Sequence, residues 1–179
     1  MQMRINAEHP IKLTRIAMRS LLGADKPGVV LIVASMAGVQ GVYSGALYCA
    51  TKHAVVGFTK AMAQADIDEN VKIVAVCPGM VATPLWTSET AKQVNAQWSY
   101  SDEMCLRPEE VAQAMKELVE QSKYKGGSMI EVSKTRARGE LATELAVVVE
   151  GGGEEMKKWL DTNYAPLREV WAGERGKKV

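Results

Sequence analysis

The chain has a single phenylalanine among 179 residues and no excess of either charge, since 22 Lys and Arg against 21 Asp and Glu leave +1. A nearly neutral surface has no field to steer nucleic acid or an anionic membrane, so neither is an expected partner. No apolar run reaches the roughly twenty residues of a membrane span. The cysteines Cys49, Cys77 and Cys105 are odd in number and lack paired spacing. That excludes a disulfide framework and fits reduced thiols in a cytoplasmic protein. None has a second ligand at zinc spacing, so no metal is expected. Arg4, Glu8, Lys12, Arg15 and Arg19 are spread too evenly for a signal peptide. What is present is ordinary for a soluble protein, 47% hydrophobic and 24% charged, in a chain long enough for one core.

Strand-like and helix-like segments alternate. Ile11, Leu13, Ile16, Ala17, Leu21 and Leu22 predict an amphipathic helix over 7–22, closed by Gly23 and a DKPG turn. VVLIVAS, ending at Ser35, is an apolar run of the kind buried on both faces of a sheet. The glycine-rich MAGVQGVYSGA leads into a helix expected over 46–67. VKIVAVCPG is a second buried strand, stopped by Pro78 and Gly79. Residues 85–106 are polar and weakly periodic, which predicts a mobile loop with short helices. RPEEVAQAMKELVEQSKY is a helix with Pro108 and glutamates at its start, and KGGSMIEVS holds a third strand. The alternation predicts an α/β fold with a parallel sheet over 1–138. Residues 139–179 form an extension with ELATELAVVV, a GGG hinge, and an amphipathic segment carrying Trp159 and Trp171 that docks on the body.

Three residues suggest chemistry. Tyr48 and Lys52 lie one turn apart on one helix face. A nearby ammonium favours phenolate, so Lys52 is expected to lower the Tyr48 pKa and let it exchange a proton with an alcohol or carbonyl oxygen. Ser35 precedes Tyr48 by thirteen positions and ends a parallel strand, where ligands of such sheets bind. Proton transfer on a C–O bond needs a hydride carrier, usually a nicotinamide. His9 and His53 lack partners at useful spacing, and Cys49 reads as a packing residue.

VVLIVASMAG, YCATK and VKIVAVCPGMVATPL, in that order and spacing, resemble the short-chain dehydrogenase/reductase family over roughly residues 1–135. The second and third motifs look most like its NAD-dependent 15-hydroxyprostaglandin dehydrogenase group. The resemblance implies a Rossmann-like, doubly wound parallel sheet and an NAD or NADP cofactor acting on a small-molecule alcohol or carbonyl. Tyr48 would be the catalytic acid/base. Lys52 would also bond the nicotinamide ribose, and Ser35 would polarise the substrate oxygen. Asn6, twenty-nine residues before Ser35, falls where the family anchors a proton-relay water; it also reads as a helix N-cap. Pro78 and Gly79 would shape the nicotinamide pocket, Val81 and Thr83 would contact its carboxamide, and residues 85–106 would form the substrate lid.

The family's opening Thr-Gly-x-x-x-Gly-x-Gly, which wraps the pyrophosphate, has no counterpart here. Gly38 and Gly41, and the GGG at 151–153, are not placed between a strand and a helix as that motif requires. The resemblance therefore implies a truncated sheet holding family strands five to seven, no cofactor bound by this chain alone, and no activity of its own. The strand at VVLIVAS would have an open edge, for which ELATELAVVV is a candidate cover. Helices 7–22 and 46–67 correspond to the family's dimer-forming pair, so a homodimer is expected. The alternative is a non-enzymatic relative acting as a dimerisation or regulatory module.

Overall fold

A computed structural model describes residues 1–88, Ala91, 102–134, 139–141 and 153–177. The chain opens with a π-helical turn, Arg4–Glu8, that runs into helix α1, His9–Gly23. Pro10 explains the widened turn. In an α-helix its nitrogen would donate to the Asn6 carbonyl, but proline has no N–H and its ring crowds that oxygen. The expected helix is thus preceded by an extra, irregular turn.

Strand β1, Gly28–Val33, leads through short 3-10 turns at Met36–Gly38 and Tyr43–Gly45 into helix α2, Ala46–Ala61. The helix expected over 46–67 is two helices. It breaks at Met62 and Ala63, and α3 spans Gln64–Glu69. The break has a tertiary cause. Gly126 packs against the Ala63 carbonyl so closely that a Cβ would lie 2.6 Å from it, and its N–H donates to Asp66 at 2.7 Å. Asn70 closes α3 at φ 55°, a left-handed conformation that asparagine tolerates.

Strand β2, Val71–Pro78, is followed by the single turn α4, Pro84–Thr87. Helix α5, Pro108–Glu120, precedes strand β3, Met129–Val132. Gly139–Leu141 forms β4 and Glu154–Glu174 forms α6. Of the expected lid, α4 and a 3-10 turn at Asp102–Met104 are described, and most of the remainder lies outside the described residues.

The sheet runs β1-β2-β3-β4, parallel through the first three strands and antiparallel at β4. β2 is central and apolar on both faces. Ile73, Ala75 and Cys77 pack under α1, α2 and α3 with Met18, Val55 and Val56. Val74 and Val76 pack under α5 with Val111, Ala114 and Leu118. Helices on both faces make the sheet doubly wound, as the α/β expectation required. Glu140 and Leu141, which begin ELATELAVVV, lie in β4 and pair with β3, while the β-branched end of that segment, the part read as a candidate cover for β1, lies outside the described residues. Residues 142–149 lie outside the described residues.

Helix α6 docks through Trp171, packed on the core, and through ion pairs. Arg175 follows α6 and reaches Glu69 at 2.8 Å and Asp25 at 3.4 Å. The Glu69 residue is only 5% exposed, so its carboxylate depends on that guanidinium. Arg175→Ala is expected to lower stability by on the order of 2 kcal/mol in urea titration, less than for a fully buried pair because the arginine is partly solvated. A loss within about 0.5 kcal/mol would mean that Glu69 finds water or another donor.

Candidate active site

The parallel register places Val33 beside Val76, so Ser35 emerges beside Pro78 where both strands end. Ser35 caps the following 3-10 turn. Its hydroxyl accepts the Ala37 N–H at 3.1 Å and donates to the Pro78 carbonyl at 3.5 Å. Helix α2 then crosses this strand end and carries Tyr48 and Lys52. Gly38 permits the close approach. A Cβ there would sit 2.7 Å from the Lys52 carbonyl and 2.8 Å from Val56, so only glycine lets the loop lie against α2.

Tyr48 is half-buried and hydrogen-bonded to the Ser35 side chain. Burial raises its pKa above 10.0, the Ser35 bond partly opposes that, and Cys49 adds to it. The expected lowering by Lys52 is not seen. The Lys52 Nζ lies 5.7 Å from the Tyr48 ring centroid and donates instead to the Val33 carbonyl at 3.0 Å. Gly28 and Ala34 direct their N–H groups toward β2, so the alternate carbonyl of Val33 faces away from β2, where no strand pairs with β1 among the described residues. Burial lowers the Lys52 pKa, while Cys77 raises it. Burial also pushes Cys77 up to about 11, although a Ser35 backbone hydrogen bond lowers it. The thiol is therefore protonated at neutral pH.

Asn6 stands one layer away. Its Nδ2 donates to Thr51 Oγ1 at 3.4 Å, and Thr51 donates to the Tyr48 carbonyl at 2.7 Å. Neither bond is an N-cap contact. Asn6 sits within the π-turn, so the N-cap expectation is replaced by an interhelical link. Pro78 contributes the carbonyl that takes Ser35. The Gly79 N–H donates to Val132 at 2.8 Å and ties the chain leaving β2 to β3. Val81 pairs with Leu106 in a parallel bridge, and Thr83 precedes α4. Ser35, Tyr48, Lys52 and Pro78 thus meet at one strand end, Asn6 connects through Thr51, and Val81 and Thr83 lie on the segment that leaves it. Sequence spacing did not single out Gly38, Thr51 or Cys77 for the site. For Thr51 the one available signal was its place beside Lys52 among small residues.

Removing the Ser35 hydroxyl removes the bond that eases Tyr48 ionisation. Ser35→Ala is therefore expected to move the phenol to a still higher pH in an alkaline absorbance titration, with Tyr48→Phe subtracted. A raised folded pKa also means that the unfolded chain loses this proton first. The stability contributed by neutral Tyr48 is intact below about pH 10 and declines as pH rises above it, a decline that Tyr48→Phe should lack. An unshifted Tyr48 titration in Ser35→Ala would show that the hydroxyl pair does not control the phenol.

The sequence and the fold have parallels in known proteins. The chain is 35% identical over 124 residues to a short-chain dehydrogenase/reductase of Talaromyces verruculosus, covering 62% of this chain and 48% of that protein. It is 28% identical over 138 residues to the NAD(+) 15-hydroxyprostaglandin dehydrogenase of Rattus norvegicus, covering 66% and 52%, so the relation to that group is distant. Among solved structures, a 4-hydroxyisoleucine dehydrogenase mutant complexed with NADH and succinate superposes with TM-score 0.60 at 24% identity, over 73% of this chain and 55% of that one. ElxO with NADP bound gives 0.58 at 24%, over 71% and 53%. The chain spans about half the length of the curated relatives it matches. The short chain dehydrogenase family model matches residues 1–94, just over half of the sequence, and the protein belongs to that family.

Proposed function

We propose that this protein serves an NAD- or NADP-dependent oxidoreductase reaction that interconverts an alcohol and a carbonyl in a small molecule. The observation that carries the reading is the Tyr48–Ser35 hydrogen bond at the end of two parallel strands, with the Lys52 ammonium beside the ring.

In this reading Ser35 holds the substrate oxygen and Tyr48 exchanges a proton with it. Because burial keeps the phenol protonated at neutral pH, Tyr48 stands ready as the acid for carbonyl reduction. In the reverse direction the Ser35 hydrogen bond, which opposes the effect of burial on the phenol, favours the phenolate that must accept the proton. The nicotinamide, when bound, supplies or takes the hydride.

The donor set would suit the nicotinamide end of such a cofactor: Lys52 would bond the ribose, Pro78 and Gly79 would shape the pocket at the strand exit, and Val81 and Thr83 would contact the carboxamide. The pyrophosphate is another matter. The bare face of Gly38 is already filled by α2, so this glycine is not open to a phosphate. The reading therefore assigns these residues the reacting end of the cofactor, and turnover to the whole protein. The NADH and NADP complexes of the structural neighbours support a nicotinamide of either type, and the resemblance to the 15-hydroxyprostaglandin dehydrogenase group favours NAD.

A homodimer is part of the same reading. Ile5, Leu13 and Ile16 on the first helical segment and Leu47 on α2 are all at least half exposed. Light scattering should give twice 19.5 kDa, and Leu13→Asp should return the mass to that of one chain. A native mass of one chain at all concentrations removes the dimer.

Tyr48→Phe is expected to reduce nicotinamide-dependent turnover of a carbonyl substrate by about 100-fold or more, within the range for loss of a general acid. Native turnover in Tyr48→Phe would count against the proposal, and no saturable NADH or NADPH quenching of tryptophan fluorescence would rule out activity of this chain by itself.

A further inference from the structure

Thr51 is fully buried, and both bonds of its hydroxyl are made within the site's framework. It accepts from Asn6 on the π-turn and donates to the carbonyl of Tyr48. A threonine that bonds its own helix three residues back is common and by itself carries no message. The acceptance from Asn6 is different, because it ties a separate element, itself irregular, to the turn of α2 that bears both Tyr48 and Lys52. The irregularity is enforced by Pro10 rather than incidental. It shapes the turn that holds Asn6, whose amide meets the Thr51 hydroxyl.

We infer that Thr51 is a positioning residue for the Tyr48–Lys52 pair: its hydroxyl locks the π-turn at Asn6 onto α2 and sets the placement of the Tyr48 ring against Ser35. This rests on reading Tyr48 as the acid/base, and its own readouts separate the two. The hydroxyl is chemically necessary. A valine fills the same volume but leaves the Asn6 amide without this acceptor and the Tyr48 carbonyl without this donor in a part-buried setting. A serine keeps both bonds and loses only a methyl group.

The test uses the whole chain with Thr51→Val and Thr51→Ser, and Tyr48→Phe for subtraction. Amide exchange of His9, whose N–H donates to the Arg4 carbonyl, reports the π-turn, with α5 amides as the control. In Thr51→Val, His9 exchange should quicken roughly tenfold while α5 is unchanged. Tyr48 should titrate at higher pH although Ser35, Cys49 and Lys52 are all intact. Where turnover is measurable, kcat should fall with KM held, and its pH profile should move with the phenol. Thr51→Ser should stay close to native in every readout. If Thr51→Val does not fold, Asn6→Ala cuts the same link from the other side and should give the same shifts. A destabilised Thr51→Val or Asn6→Ala with the native Tyr48 titration and native pH profile would reduce Thr51 to a packing residue and overturn the inference. Turnover that survives Tyr48→Phe would instead defeat the acid/base reading, and the titration would still decide the role of Thr51.

Discussion

The register between β1 and β2 is the constraint from which the site follows. Apart from Lys72, β2 is buried along its length and apolar on both faces, so a slip of one residue would exchange its two side-chain sets between helix layers. Ile73, Ala75 and Cys77 fit beneath α2, and Val74 and Val76 fit beneath α5. With that fixed, Val33 must pair with Val76, and Ser35 must leave β1 level with Pro78. The serine hydroxyl then bonds both the strand end and the tyrosine delivered by α2. A catalytic-type arrangement is thus a consequence of packing two strands, with Gly38 supplying the clearance for the helix above them.

The same burial sets the electrostatics. Tyr48, Lys52 and Cys77 are each pushed toward their neutral forms by loss of water. For Lys52 the neighbouring Cys77 opposes that push, and Val33 offers the amine a carbonyl that no neighbouring strand has taken among the described residues. Lys52 therefore has a backbone anchor. An ammonium carries three donors, so one bond to Val33 leaves two for other oxygens at the strand end. The anchor restrains the flexible lysine stem, which lowers the entropy lost when those other bonds form.

The β-branched runs at VVLIV and VKIVAV announced the parallel strands, and the interval between Ser35 and Tyr48 announced their meeting. Both were legible because each depends on local pattern or on a spacing that the chain itself fixes. The break of α2 at Met62 was not legible, since it depends on Gly126, some sixty positions away in sequence. The pairing of β4 with β3 escaped for a similar reason: an apolar segment shows that it wants an edge, not which edge. The effect of Lys52 on Tyr48 was misjudged because helix spacing gives proximity and says nothing of a competing carbonyl. The π-turn had one sequence signal, a proline four residues after Asn6, and its meaning needed the helix to be known first.

The strand pair that carries the site is pinned at both ends. At the exit, Ser35 bonds the Pro78 carbonyl across the strands. At the entry, one guanidinium joins the two strands in the same way, since Arg175 reaches Asp25, in the turn before β1, and Glu69, just before β2. The two contacts differ in strength. Asp25 is largely exposed, and its pair is worth little in water. Glu69 is buried, so its bond must be kept or a carboxylate is left without its partner. Tyr48 and Ser35 lie at the opposite end, where the β1 exit is held by Ser35 and by Lys52 on Val33. A helix near the C-terminus, packed on the same face of the sheet as α2, thus supports from the entry end the strand alignment on which the tyrosine–serine contact depends.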